Sequence, residues 1–191
     1  MRQTAFRSAL PFLLGATALT GCGDALSLLP PRFANQVDTT ALWAATGTPV
    51  VRQSGFLISQ GLRVRLDQVT LFDFYYDINP AGERFFIPLA AVVNTGRTVG
   101  NPGFREELQV SFDSISTAPQ DGYISQDTVR FRVGDVFYVR SGVESSCNLG
   151  IPYYAKLQIL SVDDSARAVS FRILINANCG YRSLEIGLPK K

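Results

Sequence analysis

Histidine does not occur in this chain of 191 residues. Its absence excludes Ser-His-Asp and Cys-His catalysis, zinc or haem held by imidazole, and pH switching through a histidine side chain. An excess of charge is missing as well: 18 basic side chains stand against 16 acidic ones, with no basic cluster among them. A nucleic-acid partner would need such a cluster. The glycines give no nucleotide-binding pattern, because Gly96, Gly100 and Gly103 flank Pro102 in a loop with no helix to follow. No sequence repeat and no low-complexity segment is visible. The uncharged run from Ala9 to Leu19 is about half the roughly 20 residues that a membrane-crossing helix needs.

That short run has the length of the apolar region of a signal peptide, and Arg2 and Arg7 before it supply the positive region. It is followed by Leu19-Thr20-Gly21-Cys22: a branched apolar residue, two small ones, then cysteine. The arrangement resembles the lipobox of bacterial lipoproteins. The resemblance implies a signal peptide over residues 1–21, a diacylglyceryl group on the Cys22 thiol, and Cys22 as the first mature residue. An ordinary cleavage site at Ala16-Thr17-Ala18 is the alternative, and would release a soluble protein. Cysteine arithmetic favours the lipobox. Three cysteines leave one unpaired, and lipidation of Cys22 removes it, leaving Cys147 and Cys179 as a pair. In the lipoprotein sorting rule, aspartate directly after the lipidated cysteine holds a protein in the inner membrane. Here Gly23 comes first and Asp24 second, which favours the outer membrane.

Without residues 1–21 the charge falls to zero, because Arg2 and Arg7 leave with the signal peptide. Hydrophobic residues make up 46% of the chain and charged ones 18%, so the mature part should fold rather than stay disordered. Residues 22–34, with Leu28-Leu29-Pro30-Pro31, read as a tether, and residues 35–191 as one extracytoplasmic all-β domain. A sub-domain break is expected near 117–124, where Thr117-Ala118-Pro119-Gln120-Asp121-Gly122 looks like a connector.

Short β-prone runs separated by Gly, Pro, Asn, Asp and Ser fill that domain. Strands are expected over 50–58, 62–66, 69–78, 83–93, 107–115, 128–133, 136–140, 153–162, 168–176 and 181–186. Only 35–45 carries helical ambiguity. The pattern predicts an antiparallel sandwich or a partly closed barrel. The stretch Gly134-Asp135-Val136-Phe137-Tyr138-Val139 with the hairpin after it is similar to the C-terminal β repeats of surface lipoproteins, a likeness over about a third of the chain.

Two hairpins are legible. In the first, the turn Asn79-Pro80-Ala81-Gly82 suits type I. Pairing Ile78 with Glu83 sets Tyr76 opposite Phe85, Phe74 opposite Ile87, and Asp77 opposite Arg84; a one-residue bulge at Gly82 would shift all of these. In the second, pairing Val162 with Ala168 sets Cys179 opposite Ile151, four residues beyond Cys147, within easy reach of a disulfide. Closing that loop should stabilise the fold by about 3–4 kcal/mol.

No catalytic residues and no metal or cofactor are assigned. Asp73 and Asp77 are a candidate carboxylate pair for glycoside hydrolysis, but two residues on one strand face, four apart, lie about 13 Å from each other, against the 5–9.5 Å such enzymes use. A serine nucleophile, such as Ser145 or Ser146, would need a lysine partner. Lys156 is the only lysine before Lys190 and Lys191, and its strand context reads as a surface side chain. Asp163-Asp164 reads as a hairpin turn rather than a calcium loop. Trp43, Phe104, Tyr123, Tyr153, Tyr154 and Tyr181 fall near strand ends, as a rim for sugar or protein contacts or as caps on the β core. The leading expectation is a membrane-tethered, non-catalytic envelope lipoprotein that acts by protein contact or as a structural accessory. A glycan- or small-ligand-binding lipoprotein using the aromatic rim is the alternative, and a hydrolase the disfavoured third class.

Overall fold

A computed structural model describes residues 29–94, 96, 100–142 and 150–190. The expected signal peptide, Cys22, residues 23–28, Ser145, Ser146 and Cys147 lie outside the described residues. The chain forms an all-β sandwich of two antiparallel five-stranded sheets, and neither closes into a barrel. In chain order the strands are β1 (Val37–Trp43), β2 (Gly55–Leu57), β3 (Leu62–Val64), β4 (Phe74–Ile78), β5 (Arg84–Pro88), β6 (Gly103–Glu106), β7 (Val129–Arg130), β8 (Val136–Arg140), β9 (Tyr154–Asp163) and β10 (Ala168–Asn176). The first sheet has the order β1-β10-β9-β8-β6 and the second β3-β2-β4-β5-β7.

Several expected strands are shorter or elsewhere. Residues 35–45 resolve as β1, which the β-branched Thr39 and Thr40 suit, paired along its length with β10. The expected strand 107–115 is replaced by β6, earlier in the chain, and by a 3-10 turn at Phe112–Ser114. The Ser111 side chain caps that turn by accepting the Ser114 N–H. Residues 181–186 form no strand; Ser183 makes an isolated bridge with Thr117, and the Asn35 side-chain amide donates to the Ser183 and Glu185 carbonyls. The segment 117–124 is stitched on both sides: Ala118 N–H donates to the Arg182 carbonyl, and Phe104 and Ile124 exchange backbone bonds. Gly134 turns the chain between β7 and β8, with φ +97°. The strands on either side of it join different sheets, because β7 pairs with β5 and β8 with β9.

The first hairpin departs from its expected register. Ile78 faces Arg84, Tyr76 faces Phe86 and Phe74 faces Pro88. Gly82 is the cause: it adopts φ +81°, its N–H donates to the Asn79 carbonyl, and Asn79 N–H then donates to Glu83. A type I turn followed by a left-handed glycine carries one extra residue, so every later pair slips by one. Asp77 therefore faces Phe85 rather than Arg84, and Arg84 pairs with Asp164 instead. The second hairpin keeps its expected register from Phe171–Ile159 to Asn176–Tyr154. A bulge between Ser170 and Phe171 leaves Leu160 without a partner on β10, and Leu160 points partly to solvent.

Between the sheets lies a core dominated by aromatic rings. Phe86 sits at its centre, with Phe131 at 4.5 Å, Phe74 and Phe104 each at 5.2 Å, and Phe171 at 6.0 Å between ring centroids. Mixed stacked and edge-to-face contacts of this kind satisfy the ring quadrupoles.

The outer face of the first sheet is covered too. Phe112, Ile115, Ala118, Val136, Tyr154, Leu174 and Leu184 form a second, smaller apolar cluster there. Residues buried on both faces explain why β9 lacks polar alternation: Ala155 and Leu157 enter the main core while Tyr154 enters the outer one. Lys156 shares that outer face and is 3% exposed, which corrects its expected surface position. Its ammonium donates to the Ile115 carbonyl at 2.8 Å and lies 4.7 Å from the Phe112 ring centroid.

Burial pushes the Lys156 pKa below its usual value; Arg172 adds to this, while Asp113 and Glu185 oppose it. A lysine with a depressed folded-state pKa stabilises the fold most when neutral in both states, above about pH 10.5. That contribution is lost as pH falls through the lowered folded value. Relative to Lys156→Met, the wild type should thus gain stability as pH rises from 7 to 10. Urea midpoints of the two proteins at both pH values provide the measurement, and a constant difference would contradict the burial of the charge.

Candidate binding site

β1 and β10 run the full height of the first sheet and give the sandwich two poles. At one, residues 29–35 join the fold: the Asn178 side-chain oxygen accepts the N–H of Arg32 and of Phe33. The Asn178 side-chain amide also donates to the Phe33 carbonyl at 2.7 Å, and Tyr181 hydroxyl donates to the Leu29 carbonyl at 2.9 Å. The stretch 29–34, expected as tether, is thus docked on the domain. The opposite pole lies about 26 Å away along β10 at strand rise, and it gathers the turns 79–83 and 163–167 and the loop 44–53.

These three segments are tied to one another. Arg167 donates from Nε to the Thr46 carbonyl and from Nη2 to the Ile78 carbonyl. Asp77 accepts both the N–H and the hydroxyl of Thr46. Gly47 has φ +77°, and a Cβ there would stand 2.9 Å from Arg167 Nε. Only glycine lets the guanidinium lie along this loop. The neighbouring turn is held by Asp163, whose carboxylate accepts from Ala166 N–H and the Ser165 hydroxyl and is kept below its usual pKa by them.

On this frame sits Trp43, the last residue of β1 and half-buried. Its indole is attended by two guanidinium groups, Arg52 at 5.0 Å and Arg63 at 6.0 Å from the ring centroid. Both arginines are exposed, and among the described residues neither forms an ion pair. Beside them a notch of about 190 Å³ is lined by Trp43, Thr48, Pro49, Arg52 and Arg167. Thr48-Pro49 turns the loop and leaves Val50 and Val51 65% and 61% exposed at its tip.

Of the six aromatic residues expected at a rim, only two reach solvent. Phe104 is fully buried between the sheets, and Tyr153, Tyr154 and Tyr181 are each less than one-tenth exposed. These four are parts of the core or its caps. Tyr123 is half-buried beside a separate cleft of about 440 Å³, with Arg140 4.7 Å from its ring centroid. Its hydroxyl donates to Pro119, and burial raises its pKa, with Tyr154 adding to the effect. That cleft opens near the pole where the tether joins, because Arg140 pairs with Tyr154 and Gly103. The six residues therefore do not form one surface. Sequence reading missed Arg52 and Arg63 because they lie nine and twenty positions from Trp43 and meet it only through folding.

The candidate carboxylate pair is separated by role. Asp73 is 1% exposed, and its two oxygens accept the backbone N–H of Ile58 at 2.7 Å and of Gly142 at 2.6 Å. Asp77 anchors the Thr46 loop as described. Both carboxylates are structural braces. Among the described residues no cluster of three or more cysteine, aspartate or glutamate side chains is arranged to hold a metal ion. Cys179 lies partly buried against the main core, with Sγ 4.0 Å from the Ile151 carbonyl, where the hairpin register sets it. Its expected partner, Cys147, is outside the described residues. Compared with protein-family models and with curated proteins, the chain gives no match.

Proposed function

We propose that this protein is a lipid-anchored module of the cell envelope, held at the outer membrane through Cys22, that recognises an acidic protein partner with Trp43, Arg52 and Arg63. A Cys147–Cys179 disulfide formed after export would secure the loop that precedes β9. The observation that carries the reading is the arginine pair at the indole. Tryptophan and arginine dominate the energetics of protein interfaces. Among the described residues neither guanidinium has a carboxylate partner, so a partner's acidic side chains would meet charges already positioned. The exposed Val50 and Val51 add apolar contact beside them.

A glycan is the weaker reading of the same surface. Sugars stack on open ring faces, and the Arg52 guanidinium lies over this indole, so stacking would first have to displace it.

A photocrosslinking side chain at Val50 in the full-length protein, in its native envelope, should capture one dominant partner. Double reversal, Arg52→Glu with Arg63→Glu, should cut the yield at least tenfold, and raising the salt concentration should weaken capture of the wild type. Capture that survives charge reversal undiminished would overturn the acidic-partner reading.

A further inference from the structure

The pole opposite Trp43 carries its own surface. Asn35 and Gly187 exchange backbone hydrogen bonds, and the residues around that bridge are unusually exposed for their type. Phe33 is 59%, Ile186 74% and Leu188 59% exposed, all within two positions of the bridge. Leu29, 77% exposed, is brought to the same pole by the Tyr181 hydroxyl. Clusters of large exposed apolar side chains mark contact surfaces rather than chance exposure. Arg32 and Lys190 flank the cluster with long aliphatic stems and cationic tips, and Glu185 supplies one opposing charge.

The length of chain between Cys22 and the docked segment decides what this surface meets. Because residues 29–34 are docked on Asn178 and Tyr181, only the seven residues Cys22 to Leu28 separate the expected lipid from the domain. Fully extended, they span at most about 25 Å, and Pro30-Pro31 stiffens the chain where it meets the fold. A lipid at Cys22 therefore keeps this pole within one tether length of the bilayer at all times.

We infer that Leu29, Phe33, Ile186 and Leu188 form a bilayer-contacting patch that settles the pole into the lipid interface, so that the anchored domain stands upright with Trp43 facing away. The inference rests on the lipid-anchor reading above. The lipid supplies the binding and the patch supplies orientation. Apolar side chains enter the headgroup boundary while Arg32 and Lys190 reach up to the phosphates.

The chain's single tryptophan makes the test direct. The lipidated protein is purified, its Cys22 adduct is checked by mass, and it is reconstituted in zwitterionic vesicles with and without brominated acyl chains. Bromine quenches indoles within the apolar region. Wild-type emission, which comes from Trp43 alone, should change by less than a tenth. Phe33→Trp and Leu188→Trp should each lose at least half of the emission that the added indole contributes. Both positions are exposed, so neither variant threatens folding, and an unchanged urea midpoint confirms it. Lipidated protein whose added indoles are not quenched would overturn the patch and leave the anchor standing. That includes protein that instead pairs with a second copy through this pole. Quenching of Trp43 would show the opposite orientation and likewise overturn it. A purified mature chain without the lipid mass would overturn the anchor reading, and this inference with it.

Discussion

Replacing Asp73 with alanine should lower the unfolding free energy by about 3–5 kcal/mol, among the largest losses available from one side chain here. The carboxylate is almost completely enclosed and takes up two backbone N–H groups from distant parts of the chain, Ile58 and Gly142. Ile58 opens the 3-10 turn after β2, and Gly142 lies beyond β8, so one side chain ties the second sheet to the first. Removal leaves both donors buried without an acceptor, and each carries a desolvation penalty of about 1–3 kcal/mol. Asp73→Asn keeps the shape but turns an N–H₂ group toward one of the two donors; its loss should be about half as large. Urea denaturation gives the stability, and amide exchange gives the location. Ile58 and Gly142 should lose protection before the rest of the sandwich. A loss below about 1 kcal/mol for the alanine variant would contradict the enclosed brace.

The second large effect separates two adjacent phenylalanines. Phe86→Ala should cost about 3–5 kcal/mol, as removal of an enclosed ring does, because Phe86 is fully buried at the centre of the aromatic core. Phe85 points the other way, half-buried with the Arg130 guanidinium 5.5 Å from its ring centroid. Phe85→Ala should cost about 1 kcal/mol, the scale of a cation–π contact with some apolar cover. The unbulged register would reverse this order. Thermal or urea unfolding of the two variants therefore reads the position of the Gly82 bulge, and a larger loss at Phe85 would refute the register described.

Phe85 and Phe86 also show what the sequence could and could not reveal. Asn79-Pro80-Ala81-Gly82 announced a turn through its residue types. The step of one residue after it depends on whether Gly82 takes up its left-handed option, and no neighbouring residue dictates that. Alternation settled nothing, because Arg84-Phe85-Phe86-Ile87-Pro88 is apolar on both faces of the strand. The hairpin of β9 and β10 was legible where Ile159 and Phe171 begin their pairing, and its upper end slipped at Leu160 for the same reason, a local bulge. Lys156 was misplaced because a strand covered on both sides gives no polar face, and the covering segments come from residues 107–118 and 181–188. Trp43 was visible as an aromatic residue at a strand end. Its arginines were not, since Arg52 lies in the loop after β1 and Arg63 on β3, and only folding brings them to the indole.

The course of β1 has a mechanical consequence. Its first residue follows the docked segment at one pole, and its last residue is Trp43 at the other. In the proposed arrangement, a pull between the membrane and a partner at Trp43 would therefore run along a single extended strand of seven residues. The ladder between β1 and β10 lies beside that path, so its hydrogen bonds hold the strand in place without carrying the pull. The covalent backbone carries the load, and the sandwich beside it keeps the strand straight without being drawn apart.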